Sequence, residues 1–201
     1  MQERTYHHGS LRTALLDAAE RAVLTGGAQS LSLRELAREV GVSHAAPRRH
    51  FADRAALLDA LGQRGFDQLA RHLEAAIAAA PGSLGPRLRA VAHAYVDFTR
   101  ERMPLIELMF AGKHREGADA TLAAAQAAYA VPFAVIESAH RSGELAQEDV
   151  RAAARLVFAT VHGLAVLLNS GMIAREDVTG TVDAAVDGLL TGVASTGGRT
   201  P

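Results

Sequence analysis

The chain has no cysteine and no tryptophan, and among its 201 residues a single lysine, Lys113, stands against 20 arginines. Without thiols, neither a disulfide framework nor a thiolate metal site can form. A dominant charge of either sign is missing too: the net charge is −1, which argues against a protein that coats nucleic acid indiscriminately. No uninterrupted apolar run reaches the roughly 18 residues that span a bilayer, and MQERTYHHGS lacks a signal-peptide core. These absences predict a soluble, cytoplasmic protein with no membrane partner. No HExxH, P-loop or GxSxG pattern occurs, and neither His7-His8 nor His44 and His50 has the i,i+4 spacing of paired ligands. Neither catalysis, a metal nor a cofactor is expected.

What is present is helical periodicity from end to end, without a convincing strand or repeat. Its most informative stretch is SLSLRELAREVGVSHAAPRRHFADRAALL, from Ser30 to Leu58. Leu33, Leu36, Ala37 and Val40 fall at i, i+3, i+4 and i+7, one apolar stripe of an α-helix. Ser32 precedes it as N-cap, and Glu35 stands where a capping box requires an acid. Gly41 follows, where a left-handed residue ends a helix at little cost. Ser43 then predicts the cap of a second helix carrying His44, Arg48, Arg49 and His50 beside a weak apolar face. Two short helices about a glycine turn, the second one basic, have the geometry of a DNA-binding helix-turn-helix. A solvated Arg/His surface on an ordinary bundle is the plain alternative. Asp53 predicts the cap of a third helix. Arg54 in its first turn is an unfavourable place for a cation, which a neighbouring phosphate would rationalise.

Elsewhere, Ser10 predicts the cap of a first helix with Leu11, Leu15, Ala18, Ala22 and Val23 inward, stopped at Gly26-Gly27. Residues 54–80 read as one long helix in which Gly62 and Gly65 mark close packing. Leu88, Val91, Tyr95 and Phe98 make another amphipathic helix, followed by an apolar segment from Pro104 to Phe110. A helix from about Asp119 to Ser142 turns Leu122, Tyr129, Phe133 and Ile136 inward. Its Pro132 is either a tolerated kink or a bend that opens space for a ligand. In the last two helices, Val150, Ala154, Val157, Val161, Leu164 and Leu168, then Val182, Ala185, Leu189 and Val193, form seams suited to bundle packing. Phe158, Ala165 and Val166 give the first of these helices a second apolar face. One face can meet the core and the other a second subunit, which makes the two seams the candidate dimer interface. Complete burial within one chain accounts for the same pattern.

The N-terminal sixty or so residues resemble the TetR-type transcriptional regulators. LRTALLDAAERAVLTGG, LSLRELAREVGVS and RHFADRAALLDAL occur in order and at the family's spacing. YHHGSLRTALLDAA, and His162-Gly163 with an aromatic at Phe158, resemble the subgroup with a WHG-type C-terminal domain, in which tryptophan is expected where Phe158 stands. The resemblance implies an all-α homodimer: a three-helix DNA-binding domain over residues 1–55, a ligand-binding and dimerisation bundle over 56–195, and a flexible tail over 196–201. It implies phosphate or backbone contacts from Ser32, Ser43, His50 and Arg54, base contacts from His44, Ala45 and Arg49, and either role for Arg34. Arg48 stands where the family commonly has a tyrosine that touches the DNA backbone. Pro47 stands where an aliphatic residue packs the second helix, which predicts a distorted first turn.

The expected function is a repressor that leaves a palindromic operator in double-stranded DNA when a small apolar or aromatic effector binds. The candidate effector residues are Tyr95, Phe98, Met103, Met109, Phe110, Phe133 and His162, each of which plain core packing also explains. A helical interaction or DNA-binding module without an effector is the alternative.

Overall fold

A computed structural model describes residues 8–112, 118–145 and 149–195, apart from the side chains at 8–10, 175 and 193–195. Among the described residues there are eight α-helices and no strand. His7, Lys113, the rest of the 113–117 loop and the 196–201 tail lie outside them.

The first helix, α1 (His8–Gly26), begins before Ser10, so the expected cap sits inside the helix. Leu15, Ala18 and Val23 are buried as their spacing predicts, with Leu16 and Ala19 beside them. After a single tight turn at Ala28–Ser30 comes α2 (Leu33–Val40). Ser32 occupies its N-cap position in extended conformation, but its hydroxyl makes no capping bond, so the capping box does not form. The other end follows expectation. Gly41 is left-handed at φ 75°, its N–H bonds the Arg38 carbonyl at 3.2 Å, and Val42 N–H bonds the Ala37 carbonyl at 2.9 Å. Those two bonds satisfy carbonyls that the helix end leaves open.

The second helix of the motif departs from expectation. Ser43 does not cap an α-helix; the chain makes a turn from His44 and a three-residue 3-10 segment at Pro47–Arg49. A helix capped at Ser43 needs the N–H of residue 47 for an i→i−4 bond, and proline has none. Ala46 N–H instead reaches the Ser43 carbonyl at 2.9 Å, three residues back. The third helix, α3 (Arg54–Ala79), starts as expected, with Ala56 N–H donating to Asp53 Oδ1 at 2.8 Å.

Five helices follow: α4 (Leu84–Arg100), α5 (Met103–Gly112), α6 (Asp119–Ser142, with Pro132 inside), α7 (Val150–Asn169) and α8 (Val178–Ser195). The Asp149 side chain accepts the Ala152 N–H at 2.9 Å and caps α7. By compactness the chain divides into two units, Met1–Phe66 with Arg102–Ala125, and Asp67–Glu101 with Gln126–Pro201. The boundaries fall within α3 and α6, so the division is not linear along the sequence.

In the first unit Leu15, Leu36, Leu57, Leu61, Phe66, Leu105 and Met109 are wholly or almost wholly buried. Gly65 admits Met109 so closely that a Cβ there would lie 2.6 Å from the sulfur, and one at Gly62 would lie 3.3 Å from Thr121. Close packing at both glycines is what their positions predict. Leu122, expected inward, is 37% exposed.

In the second unit α4 packs against α7 and α8, and α7 against α8. Val157, Val161, Leu164 and Leu168 of α7 and Val182 and Leu189 of α8 are buried there within one chain, so intrachain packing already occupies most of both seams. Ile136 is buried, while Tyr129 and Phe133 are half-buried. Contrary to the expectation from uninterrupted runs, α6 and α7 are each long and apolar enough, by length and composition, to cross a membrane. Alanine supplies much of that hydropathy in α6, and valine and leucine most of it in α7, and both helices also contribute residues to the buried interior of this unit.

Candidate functional site

Eight arginines and six acids lie in residues 1–55, and the fold sorts the seven described arginines into two kinds. Some are held by the protein. Arg21 pairs with Glu39 at 2.8 Å, and Arg12 lies 5.4 Å from the centre of the Phe51 ring. Arg54 donates from Nε to the Leu31 carbonyl at 3.0 Å and from Nη2 to the Ala28 carbonyl at 2.5 Å. Two backbone oxygens of the chain itself thus hold its guanidinium and offset the unfavourable helix terminus.

Arg34, Arg38, Arg48 and Arg49 are of the other kind: all four are exposed, and among the described residues none forms an ion pair. Arg38 did not stand out in the sequence. Its one signal is the i,i+4 spacing from Arg34, which puts both on one side of α2. Ser43, His44 and Ala45 are exposed with them, whereas Ser32 and His50 are half-buried. Pro47 is buried and anchors the segment. Chemically, this surface offers guanidinium forks that match phosphate oxygens or the O6 and N7 edge of guanine. Ala45 adds a methyl group suited to thymine.

The seven effector candidates separate. In the first unit Met109 fills the space over Gly65, Phe110 meets Phe66 with ring centres 6.1 Å apart, and Met103 is half-buried. In the second unit Phe98 faces His72 at 5.9 Å, and Phe133 lies 6.0 Å from the Arg151 guanidinium. Tyr95 and His162 come together, hydroxyl to Nδ1, at 2.7 Å.

Two further rings complete that cluster. Phe158 stacks on His162 at 5.4 Å and 20°, and meets Tyr95 and Tyr129 edge-on at 6.3 and 4.9 Å. Phe158 and Tyr129 were legible as an aromatic and an inward residue, but not as neighbours of Tyr95. Burial pushes the Tyr129 phenol up to about 12. Burial, and then proximity to Tyr129, raise the Tyr95 phenol as well. Both rings therefore remain neutral hydrogen-bonding groups near neutral pH. A separate apolar cavity of about 50 Å³ lies among Leu84, Leu88, Ile136, Val157 and Leu189, with Glu144 in its lining.

The candidate dimer seams are placed inside the second unit. Besides the six buried residues, Val150, Ala154 and Ala185 are half-buried, and the Val193 side chain lies outside the described residues. A different α7 face looks outward, with Leu156 51%, Val166 38% and Leu167 40% exposed. Gly163 on that face and Gly188 on α8 have open space where a Cβ would stand.

Comparison with known proteins bears on both parts of the chain. The family model for bacterial regulatory proteins of the tetR family matches residues 15–61, and that for the tetracyclin repressor-like C-terminal domain matches residues 88–192. No curated protein matches the sequence. Among solved structures, a protein of unknown function from Rhodococcus sp. RHA1 is 42% identical over 96% of this chain and 100% of its own, with a TM-score of 0.89. PfmR, a TetR family transcriptional regulator from Thermus thermophilus, is 20% identical, covering 88% of this chain and 97% of its own at a TM-score of 0.66. The Bacillus subtilis transcriptional regulator FadR, in complex with stearoyl-CoA, is 15% identical, covering 90% of this chain and 98% of its own at a TM-score of 0.73. The last two likenesses concern the fold alone. With the C-terminal match by itself spanning more than half of its residues, the chain belongs to the TetR family of DNA-binding transcriptional regulators.

Proposed function

We propose that the protein is a cytoplasmic repressor that binds a palindromic operator as a homodimer and leaves it when a small aromatic effector binds. The observation that carries the DNA part is the sorting of arginines. Arg34, Arg38, Arg48 and Arg49 stay exposed around a glycine-turned motif, while Arg21 and Arg54 are engaged by the protein. Residues 1–55 would carry the DNA contacts, with Ser32, Ser43 and His50 toward phosphates and His44 and Ala45 toward base edges. Residues 56–195 would hold the effector and the partner subunit, with 196–201 as a tail.

The outer face of α7 supports dimerisation. Leu156, Ala159, Gly163, Val166 and Leu167 share one side of that helix, and Gly163 and Gly188 leave room for another backbone to approach. Glycine inside a helix costs about 1 kcal/mol relative to alanine, so a packing role explains its place there. Two copies would set their reading segments about 34–36 Å apart, as successive major grooves on one face of DNA require.

The aromatic cluster supports an effector with a flat ring and one polar group, able to take over part of the Tyr95–His162 hydrogen bond. FadR, a distant fold relative, binds stearoyl-CoA, which favours a small-molecule role for such a bundle. The ligand releases DNA if it binds the DNA-incompetent form more tightly, with a coupling of order 1–3 kcal/mol. One observation favours a regulator without an effector: the cluster is filled by its own rings, and the apolar cavity of about 50 Å³ is far below the usual size of a ligand pocket.

The test is selection of bound fragments from random double-stranded DNA at near-physiological salt, followed by screening of aromatic compounds for release. A recovered palindrome upholds the repressor reading, and release by a compound upholds the effector. Salt-sensitive binding without sequence enrichment removes the operator.

A further inference from the structure

The α6 helix is closed by Gly143, left-handed at φ 79°, whose N–H reaches the His140 carbonyl at 3.1 Å. Leu145 N–H turns back to the Ala139 carbonyl at 3.1 Å, and the Leu145 side chain is buried. This turn fixes the position of Glu144 between them. One carboxylate oxygen of Glu144 accepts the Leu84 N–H at 2.8 Å, a donor left open at the start of α4. The other accepts the Ser142 hydroxyl at 3.1 Å. Both partners are neutral, and among the described residues no cation pairs with Glu144.

Glu144 also lines the cavity of about 50 Å³ in the second unit, and every other residue of that lining is aliphatic. Glu144 is exposed and Leu190 half-buried, while the rest of the lining is buried, so the cavity opens on the side of the carboxylate. Tyr95 lies two turns beyond Leu88, about 10 Å along α4, which keeps the cavity apart from the aromatic cluster.

These two properties specify a ligand. A carbon-lined cavity stays dry, and one of about 150 Å³ takes benzene, so this one has room for roughly two carbons. That excludes an aromatic ring but admits the end of an alkyl chain. At the mouth stands an anion that no cation of the protein offsets, and both of its oxygens keep lone pairs for further donors.

We propose that this cavity is a binding site for a short primary alkylammonium ion, with its ammonium on Glu144 and its alkyl end among Leu88, Val157 and Leu189. An ammonium brings three N–H donors to the fixed carboxylate, and the alkyl end fills space that water leaves empty. The site depends neither on DNA reading nor on the aromatic effector proposed above, and each can fail without the others.

The experiment titrates n-butylammonium chloride into the full-length protein and follows leucine and valine methyl groups by nuclear magnetic resonance, with potassium chloride as the ionic control. Saturable shifts should appear at Leu84, Leu88, Val157 and Leu189, and not at Leu15 or Leu57 in the other unit. Glu144→Gln keeps an acceptor for the Leu84 N–H and should weaken binding about fivefold, the effect of one partly exposed ion pair. n-Butanol, the neutral counterpart, should bind the unaltered protein more weakly by a similar factor. Ala153→Val adds two methyl groups to the lining and should abolish the shifts. Equal affinity for amine and alcohol overturns the ammonium assignment and leaves a plain packing void. Shifts that never saturate, or that spread over both units, overturn the site itself, as does undiminished binding by a folded Ala153→Val protein. Should either variant fail to fold, the comparison of amine with alcohol on the unaltered protein decides the question.

Discussion

At Arg54 a guanidinium sits in the first turn of α3, where the helix dipole disfavours a cation, and two backbone oxygens hold it there. Arg54→Met leaves those carbonyls short of donors and should lower stability by about 1–3 kcal/mol, read from the urea midpoint. A phosphate-binding arginine predicts the opposite pattern, an unchanged midpoint and a shallower salt dependence of DNA binding. Gly65 is a second sensitive residue. Gly65→Ala puts a methyl group 2.6 Å from the sulfur of fully buried Met109 and should cost about 1–3 kcal/mol. Adding Met109→Ala should recover part of the packing strain, and a double mutant no better than the sum of its parts would refute the contact. At Tyr129 the consequence is a pH dependence. Its phenol ionises near 12 in the folded chain against 10.0 for an ordinary one, so the unfolded chain loses its proton first as pH rises. Stability fully present below about pH 10 is lost as the pH climbs toward 12, and Tyr129→Phe should make that fall less steep. Ultraviolet titration of the phenolates checks the shift directly.

Helix ends divide into those that side chains close and those that they do not. Asp53 and Asp149 each accept a backbone N–H, whereas Ser32 occupies an N-cap position without a hydroxyl bond. Asp53→Ala should therefore cost about 1 kcal/mol in thermal denaturation. Ser32→Ala should leave the melting temperature nearly unchanged, and equal losses in the two variants would mean that the Ser32 hydroxyl caps α2 in solution. Gly41, left-handed at φ 75°, belongs with the closed ends, because a Cβ there is penalised by its own backbone. Of the capping residues in this stretch, Gly41 and Asp53 act as their positions predict, whereas Ser32 makes no hydroxyl bond and Ser43 caps no α-helix. Which hydroxyl or carboxylate actually reaches an N–H depends on side-chain rotation, and that is decided by neighbours.

For the whole molecule, the informative contrast is between two faces of α7. Val161 is 5% exposed within the chain, while Leu156 is 51% exposed. Leu156→Glu, or Val166→Glu, should give folded monomers in sedimentation equilibrium with helical circular dichroism intact. Val161→Glu should lose cooperative unfolding, because a lone carboxylate would be buried in the core. A Leu156→Glu protein that still sediments as a dimer would move the interface to another face.

The sequence by itself determined most of the helices and the glycine turn, while the second helix of the motif is a 3-10 segment that its capping pattern did not predict. Apolar spacing, Asp53 and Gly41 act through local geometry, which needs no distant partner to be read. It also carried Pro47, since a missing N–H is a property of the residue alone. Only the tertiary structure decided which exposed-looking groups were already taken. Arg54 and Arg48 are both arginines of one motif, yet one meets two carbonyls of the chain and the other is exposed. The seams of α7 and α8 have the same spacing whether the same chain or a second copy fills them. Tyr95 and His162 lie 67 residues apart in sequence, and their hydrogen bond exists because α4 packs on α7. Periodicity along a chain says that a side chain must be buried. What buries it is set by long-range packing, which local spacing does not encode.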